Sequence, residues 1–154
     1  MIKTIKGNVL DIEEGIIVHC CNAQGVMGSG IAKEIKQRYP QAFSNYKDHI
    51  DRYKETNRSP LGTLSFYRVN DKKCVINAIV QEFYGRDKNM VYVDYDSIRQ
   101  CLKGVNFYAP LIGISLPVCF PLIGCWLAGG DWGIVSSIIE EEIDSSIDKH
   151  LYIL

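Results

Sequence analysis

Ile16 to Tyr39 reads IIVHCCNAQGVMGSGIAKEIKQRY, and this stretch decides the fold. Ile16 to Cys21 is a short apolar, β-branched run of the kind that forms a buried strand. Ser29 to Tyr39 places Ile31, Ala32, Ile35 and Tyr39 on one face of an amphipathic helix. Between them, Gly25, Gly28 and Gly30 let the backbone approach a ligand closely. A helix start aimed back at such a loop offers free N–H groups and the positive end of a dipole, which favours an anion such as a phosphate. The spacing is neither GxGxxG nor GxxxxGK[ST], and the loop has no lysine for a terminal triphosphate. The competing explanation is a tight strand-to-helix turn with Ser29 as N-cap and no ligand at all.

Outward from this stretch, strands alternate with helices. Met1 to Leu10 alternates apolar and polar residues, with Ile2, Ile5 and Val9 on one side, and predicts a first strand. Beyond Pro40, helical spacing continues to about Lys54. Thr63–Val69 and Cys74–Val80 are strand-like runs around Asn70-Asp71-Lys72, which predicts a hairpin. Gln81 to Val93 is polar and reads as a loop over one end of the sheet. Asp94 can cap a helix through Ile98, Cys101, Leu102 and Val105, and Gly113 to Phe120 predicts a further buried strand. Pro121 to Gly130 is a second small-residue loop, Asp131 opens a helix with Ile134, Val135, Ile138 and Ile139, and His150 to Leu154 is a closing strand. The expected fold is α/β: a three-layer α/β/α sandwich around a mixed sheet of about six strands, with residues 1–154 as one domain.

Composition narrows the partners. A chain of 154 residues, 47% hydrophobic, can bury a substantial core. Its net charge of −1 and scattered basic residues give no dense cationic surface, so a nucleic-acid polymer is not expected as a partner. Six cysteines without CxxC spacing, mostly within apolar runs and with no signal peptide, read as reduced thiols of a cytoplasmic protein with no metal and no cofactor. The apolar segment Tyr108–Leu127 is interrupted by three prolines and two glycines and is not expected to cross a membrane.

Each of the two glycine loops follows a buried strand and leads into a helix, so the pair can clamp a pyrophosphate from both sides. KGNVL (Lys6–Leu10), IIVHCCNAQGVMGSGIA (Ile16–Ala32) and PLIGCWLAGGDW (Pro121–Trp132) resemble the macrodomain family of ADP-ribose-binding modules, over nearly the whole chain. The resemblance is closest to the branch of ADP-ribose-1″-phosphate phosphatases and small ADP-ribosyl hydrolases. It implies that Gly28, Ser29, Gly30 and Ile31 form the first phosphate loop and Ile123, Gly124, Cys125, Trp126 and Leu127 the second. It also puts Asn22 at the distal ribose and Asn8 at the adenine, with Val9 and Gln81 among the ligand-binding residues and the Gln81 amide able to position water or a phosphate oxygen. Asn8 stands where the family often has an aspartate, with Asp11 as a nearby carboxylate, and Trp126 where a small residue is usual. In the lysyl glycohydrolases of the family a lysine and an aspartate occupy what look like positions Gln81 and Ala128, so that chemistry is not expected.

His19, three positions before Asn22, suits proton transfer, and its alternative is a satisfied core histidine. Asp131 is either a second catalytic group or the N-cap of the last helix. The resemblance implies hydrolysis of ADP-ribose 1″-phosphate to ADP-ribose and phosphate. The alternatives are a non-catalytic ADP-ribose reader and a hydrolase of O-acyl-ADP-ribose or ADP-ribosylated protein.

Overall fold

A computed structural model describes residues 1–124 and 128–154. In chain order the strands are β1 (Ile2–Lys6), β2 (Gly15–Asn22), β3 (Leu64–Asn70), β4 (Lys73–Gln81), β5 (Val118–Phe120) and β6 (Lys149–Ile153). The helices are α1 (Gly30–Arg38), α2 (Pro40–Glu55), α3 (Tyr95–Ile112) and α4 (Trp132–Glu142). One six-stranded sheet runs β1-β6-β5-β2-β4-β3, parallel throughout except for the β3–β4 hairpin. Five strands therefore end their carboxyl termini along one edge, which is where ligands settle in open α/β sheets.

Both faces of the sheet are covered, so β2 and β4 are apolar almost throughout rather than alternating with polar residues. Ile17, Cys21, Val75 and Ile79 pack under α1 and α2 with Ile35, Tyr46 and Ile50. Ile16, Val18, Ile76 and Val80 pack under α3 and α4 with Ile98, Leu102, Val135 and Ile139. This is the three-layer mixed sandwich expected from the sequence.

Several elements differ from the expectation. The first strand stops at Lys6, because the Asn8 side chain accepts the Leu10 N–H at 3.0 Å and starts a short 3₁₀ turn, Val9–Asp11, in place of extended chain. Helix α3 runs through Pro110 to Ile112, and β5 is only Val118–Phe120 rather than Gly113–Phe120. Pro110 lies exposed within the last turn, where it cannot donate to the Asn106 carbonyl, yet the helix continues past it to Ile112. Ile134 is 45% exposed rather than part of the inward face of α4. The described cysteines, Cys20, Cys21, Cys74, Cys101 and Cys119, form no disulfide. Burial pushes the Cys101 and Cys119 thiols up to about 12. Among the described residues no helix is long and apolar enough to cross a membrane.

His19 is fully buried beneath α2. Asn77 lies opposite it on β4 and donates both amide N–H groups, to Ser65 Oγ at 2.9 Å and to the Ala42 carbonyl at 3.2 Å. Its Oδ1 is thereby left to accept from His19 Nε2 at 2.5 Å, which makes Nε2 the protonated ring nitrogen. Loss of hydration lowers the His19 pKa from 6.5 to about 4, outweighing the opposing effect of the Asn77 bond. The folded state thus resists protonation that the unfolded chain accepts. The stability this contributes is complete above pH 6.5 and is lost as pH falls through 4, reaching about 3 kcal/mol. Urea midpoints measured between pH 7 and pH 4.5 should fall more steeply for wild type than for His19→Gln, and parallel profiles would contradict this account.

Candidate functional site

A cavity of about 610 Å³ opens along the carboxyl edge of the sheet. Strand order arranges its lining. Gly7, Asn8 and Val9 after β1 and Tyr152 to Leu154 at the end of β6 lie at one extreme. Pro121 to Gly124 after β5 and Cys20 to Asn22 on β2 form the middle, and Gln81 and Tyr84 to Arg86 after β4 form the other extreme. Four strand intervals separate β1 from β4, a trough roughly 19 Å long at the usual spacing.

Helix α1 begins over the middle. Ser29 occupies the N-cap position but its side chain makes no capping hydrogen bond, so it does not serve as the closed cap of a bare turn. The N–H groups of a helix's first turn have no intrahelical partner, and here Gly30, Ile31 and Ala32 line the cavity. Gly30 has φ +59, and a Cβ there would enter open space. A Cβ on Gly28 would touch only Val26 Cγ1, at 3.5 Å. This end of α1 is therefore an open set of backbone donors with a favourable dipole.

The loop before it is held from within. Asn22 Oδ1 accepts from the N–H groups of Gln24 at 2.9 Å and Val26 at 3.4 Å, and Nδ2 donates to the Val26 carbonyl at 2.9 Å. Tyr46, wholly buried on α2, places its hydroxyl 2.6 Å from the Asn22 carbonyl and 2.9 Å from Oδ1, and accepts from the Gly25 N–H at 3.1 Å. Burial raises the Tyr46 pKa far above its ordinary value, so the hydroxyl remains a donor. Asn22 lines the cavity and also serves as the internal frame of the loop.

The second loop is closed by Gly130 N–H donating to the Gly124 carbonyl at 2.7 Å. Gly124 has φ +71, and a Cβ there would lie 2.9 Å from Ile98 Cδ1 in the core, not in the phosphate space. Its glycine is required by backbone conformation and packing. Cys125, Trp126 and Leu127 lie outside the described residues. Gln81 faces the cavity and donates through Nε2 to the Phe83 carbonyl at 2.8 Å.

The structure brings Asn8, Val9, Asn22, Gly28, Ser29, Gly30, Ile31, Gln81, Ile123 and Gly124 to one cavity. It does not bring His19 or Asp131 there. Asp131 accepts the Ile134 N–H at 3.3 Å as the N-cap of α4, and lines a separate groove with Tyr95, Arg99 and Glu141. Asp11, the other carboxylate considered, pairs with Arg38 at 2.7 Å outside the cavity. The sequence reading missed Glu34, Tyr84, Arg86 and Tyr152, which all line the cavity. Glu34 was accessible in principle, since it follows Gly30 by one helical turn.

A family profile described as Macro domain matches residues 18–139. The chain belongs to the Macro domain family. Over 54 residues, 34% of this macrodomain, it is 44% identical to an ADP-ribose 1″-phosphate phosphatase of Aspergillus oryzae, a match that spans 27% of that protein. It is 27% identical over 135 residues to a DNA ADP-ribosyl glycohydrolase of Mycobacterium tuberculosis, covering 86% of the macrodomain and 36% of the relative. A solved structure of a protein of unknown function from Bacteroides thetaiotaomicron superposes with TM-score 0.87 at 32% identity, covering 100% of this chain and 98% of that one.

The buried Tyr46 hydroxyl makes a specific demand on the loop. Tyr46→Phe should cost about 1–2 kcal/mol in urea denaturation and weaken nucleotide binding at least tenfold by calorimetry. Unchanged affinity would show that the loop does not need this tether.

Proposed function

We propose that the cavity binds ADP-ribose in an extended form across the strand ends. Adenine would lie at the β1/β6 extreme with Asn8 and Val9, the diphosphate between the start of α1 and Ile123–Gly124, and the distal ribose beside Asn22 and Gln81. The observation that carries this reading is the uncapped start of α1, with Gly28 to Ile31 on the wall of a trough long enough for both riboses. An anion held there needs no lysine, because backbone N–H groups and the helix dipole supply the attraction.

Hydrolysis of ADP-ribose 1″-phosphate is the activity that the local identity to the phosphatase supports. With His19 buried and Asp131 capping α4, the distal chemistry would rest on Arg86 and Gln81. The Arg86 guanidinium would neutralise phosphate oxygens, and Gln81 Oε1 would orient the attacking water. The opposing reading is a non-catalytic ADP-ribose reader. It is favoured by the described lining, in which no carboxylate or imidazole stands at the β4 end. That end opens beside exposed Tyr84, so ADP-ribose attached to a larger molecule, nucleic acid included, also fits. The wider match to a DNA ADP-ribosyl glycohydrolase supports that extension beyond what net charge suggested.

Calorimetry should give ADP-ribose at least tenfold tighter binding than AMP, because AMP leaves the distal half of the trough empty. Equal affinities would contradict the extended pose. Incubation with ADP-ribose 1″-phosphate should release phosphate beyond one equivalent per protein, whereas tight binding with no release would assign the chain as a reader.

A further inference from the structure

At the β1/β6 extreme, the residue expected to read the base is not free to do so alone. Asn8 Oδ1 already accepts from the Leu10 N–H at 3.0 Å, which commits one of its two lone pairs to the turn and leaves an uncharged oxygen as the weaker acceptor beside a carboxylate. Its Nδ2 donates to Glu34 Oε2 at 3.3 Å, which leaves a second N–H on the same nitrogen. Glu34, partly buried on the first turns of α1, is the sole acidic side chain among the described residues lining the cavity. Its carboxylate has accepting capacity beyond the single Asn8 bond.

We propose that Glu34, oriented by Asn8, is the specificity-determining residue for the base, selecting one that presents an amino donor beside a ring-nitrogen acceptor. This rests on the ADP-ribose reading and adds to it a residue with a defined role. The carboxylate accepts from the exocyclic amine of adenine, while the free N–H of Asn8 donates toward the adjacent ring nitrogen. A 6-keto purine presents the reverse pattern, an acceptor oxygen beside a ring N–H, and places its oxygen against the carboxylate. To avoid that repulsion the base must slide along its own edge, away from the register set by the diphosphate. An unmatched buried pair of this kind discriminates more strongly than a lost contact does.

The test is calorimetric titration with ADP-ribose and with its hypoxanthine analogue, inosine diphosphate ribose. Wild type should prefer ADP-ribose by about tenfold to a hundredfold. Glu34→Ala should bring the two affinities to within about threefold, with a melting temperature close to that of wild type, since the position is a helix surface where alanine is favourable. Glu34→Gln, which can offer an N–H in place of the carboxylate oxygen, should lower affinity for ADP-ribose and raise it for the analogue. Equal wild-type affinities, or a ratio that survives Glu34→Ala, would overturn the assignment of Glu34 and leave the ADP-ribose reading standing. Wild type that binds neither ligand would overturn both.

Discussion

The arrangement depends on one constraint: β2 is paired in parallel on both sides, to β4 and β5, and covered on both faces. A strand so enclosed admits a polar residue only where a partner satisfies it, as Asn77 does His19, so its ligand-facing polar chemistry is pushed to its carboxyl end. There the ladder slips between Cys21 and Asn22, opposite Gln81, and the chain leaves the sheet into the glycine loop. Parallel pairing then brings the ends of β1, β6, β5 and β4 to the same edge. The trough is a consequence of this shared direction. The helix that opens over it needs only a turn permissive enough to point its first N–H groups inward.

The same enclosure explains the fate of His19. A histidine three residues inside a doubly covered strand lies within a helix layer, away from the strand end, and must be satisfied there. Asn77 satisfies it and is itself held by Ser65 and the Ala42 carbonyl, joining β2, β4, β3 and α2 in one polar chain inside an apolar layer. Tyr46 does the comparable work one turn along α2, reaching up to fix the loop. One helix thus holds both the core histidine and the frame of the ligand loop, which ties the integrity of the site to packing beneath the sheet.

Much of the fold was legible because each strand carried its own signature. The β-branched runs of β2, β3 and β4 and the Asn-Asp-Lys turn fixed the centre and the hairpin, and Asp131 marked the start of α4. The errors fell where local chemistry overruled periodicity. Asn8 turned the chain where alternation suggested continued strand, and the residues from Gly113 to Pro117 stayed outside β5 where their apolar character suggested strand. In the site, the glycine loops were readable because small residues beside a strand and a helix leave few other uses. The hydrogen-bond partner of His19 was not, because residue type and spacing do not show that Asn77 lies opposite it across the sheet. Glu34 was missed because a single acid on an amphipathic helix looks like ordinary surface until the strand ends are placed beside it.

The central claim is that backbone N–H groups at the start of α1 hold a diphosphate. Titrating ¹⁵N-labelled protein with ADP-ribose and following amide resonances tests it most directly. The account predicts that the largest shifts occur at Gly28, Ser29, Gly30 and Ile31, with Gly124 next, and that Gly28→Val removes them while leaving the rest of the spectrum in place. Saturable binding with these amides unmoved, and shifts confined to the groove near Asp131, would contradict it.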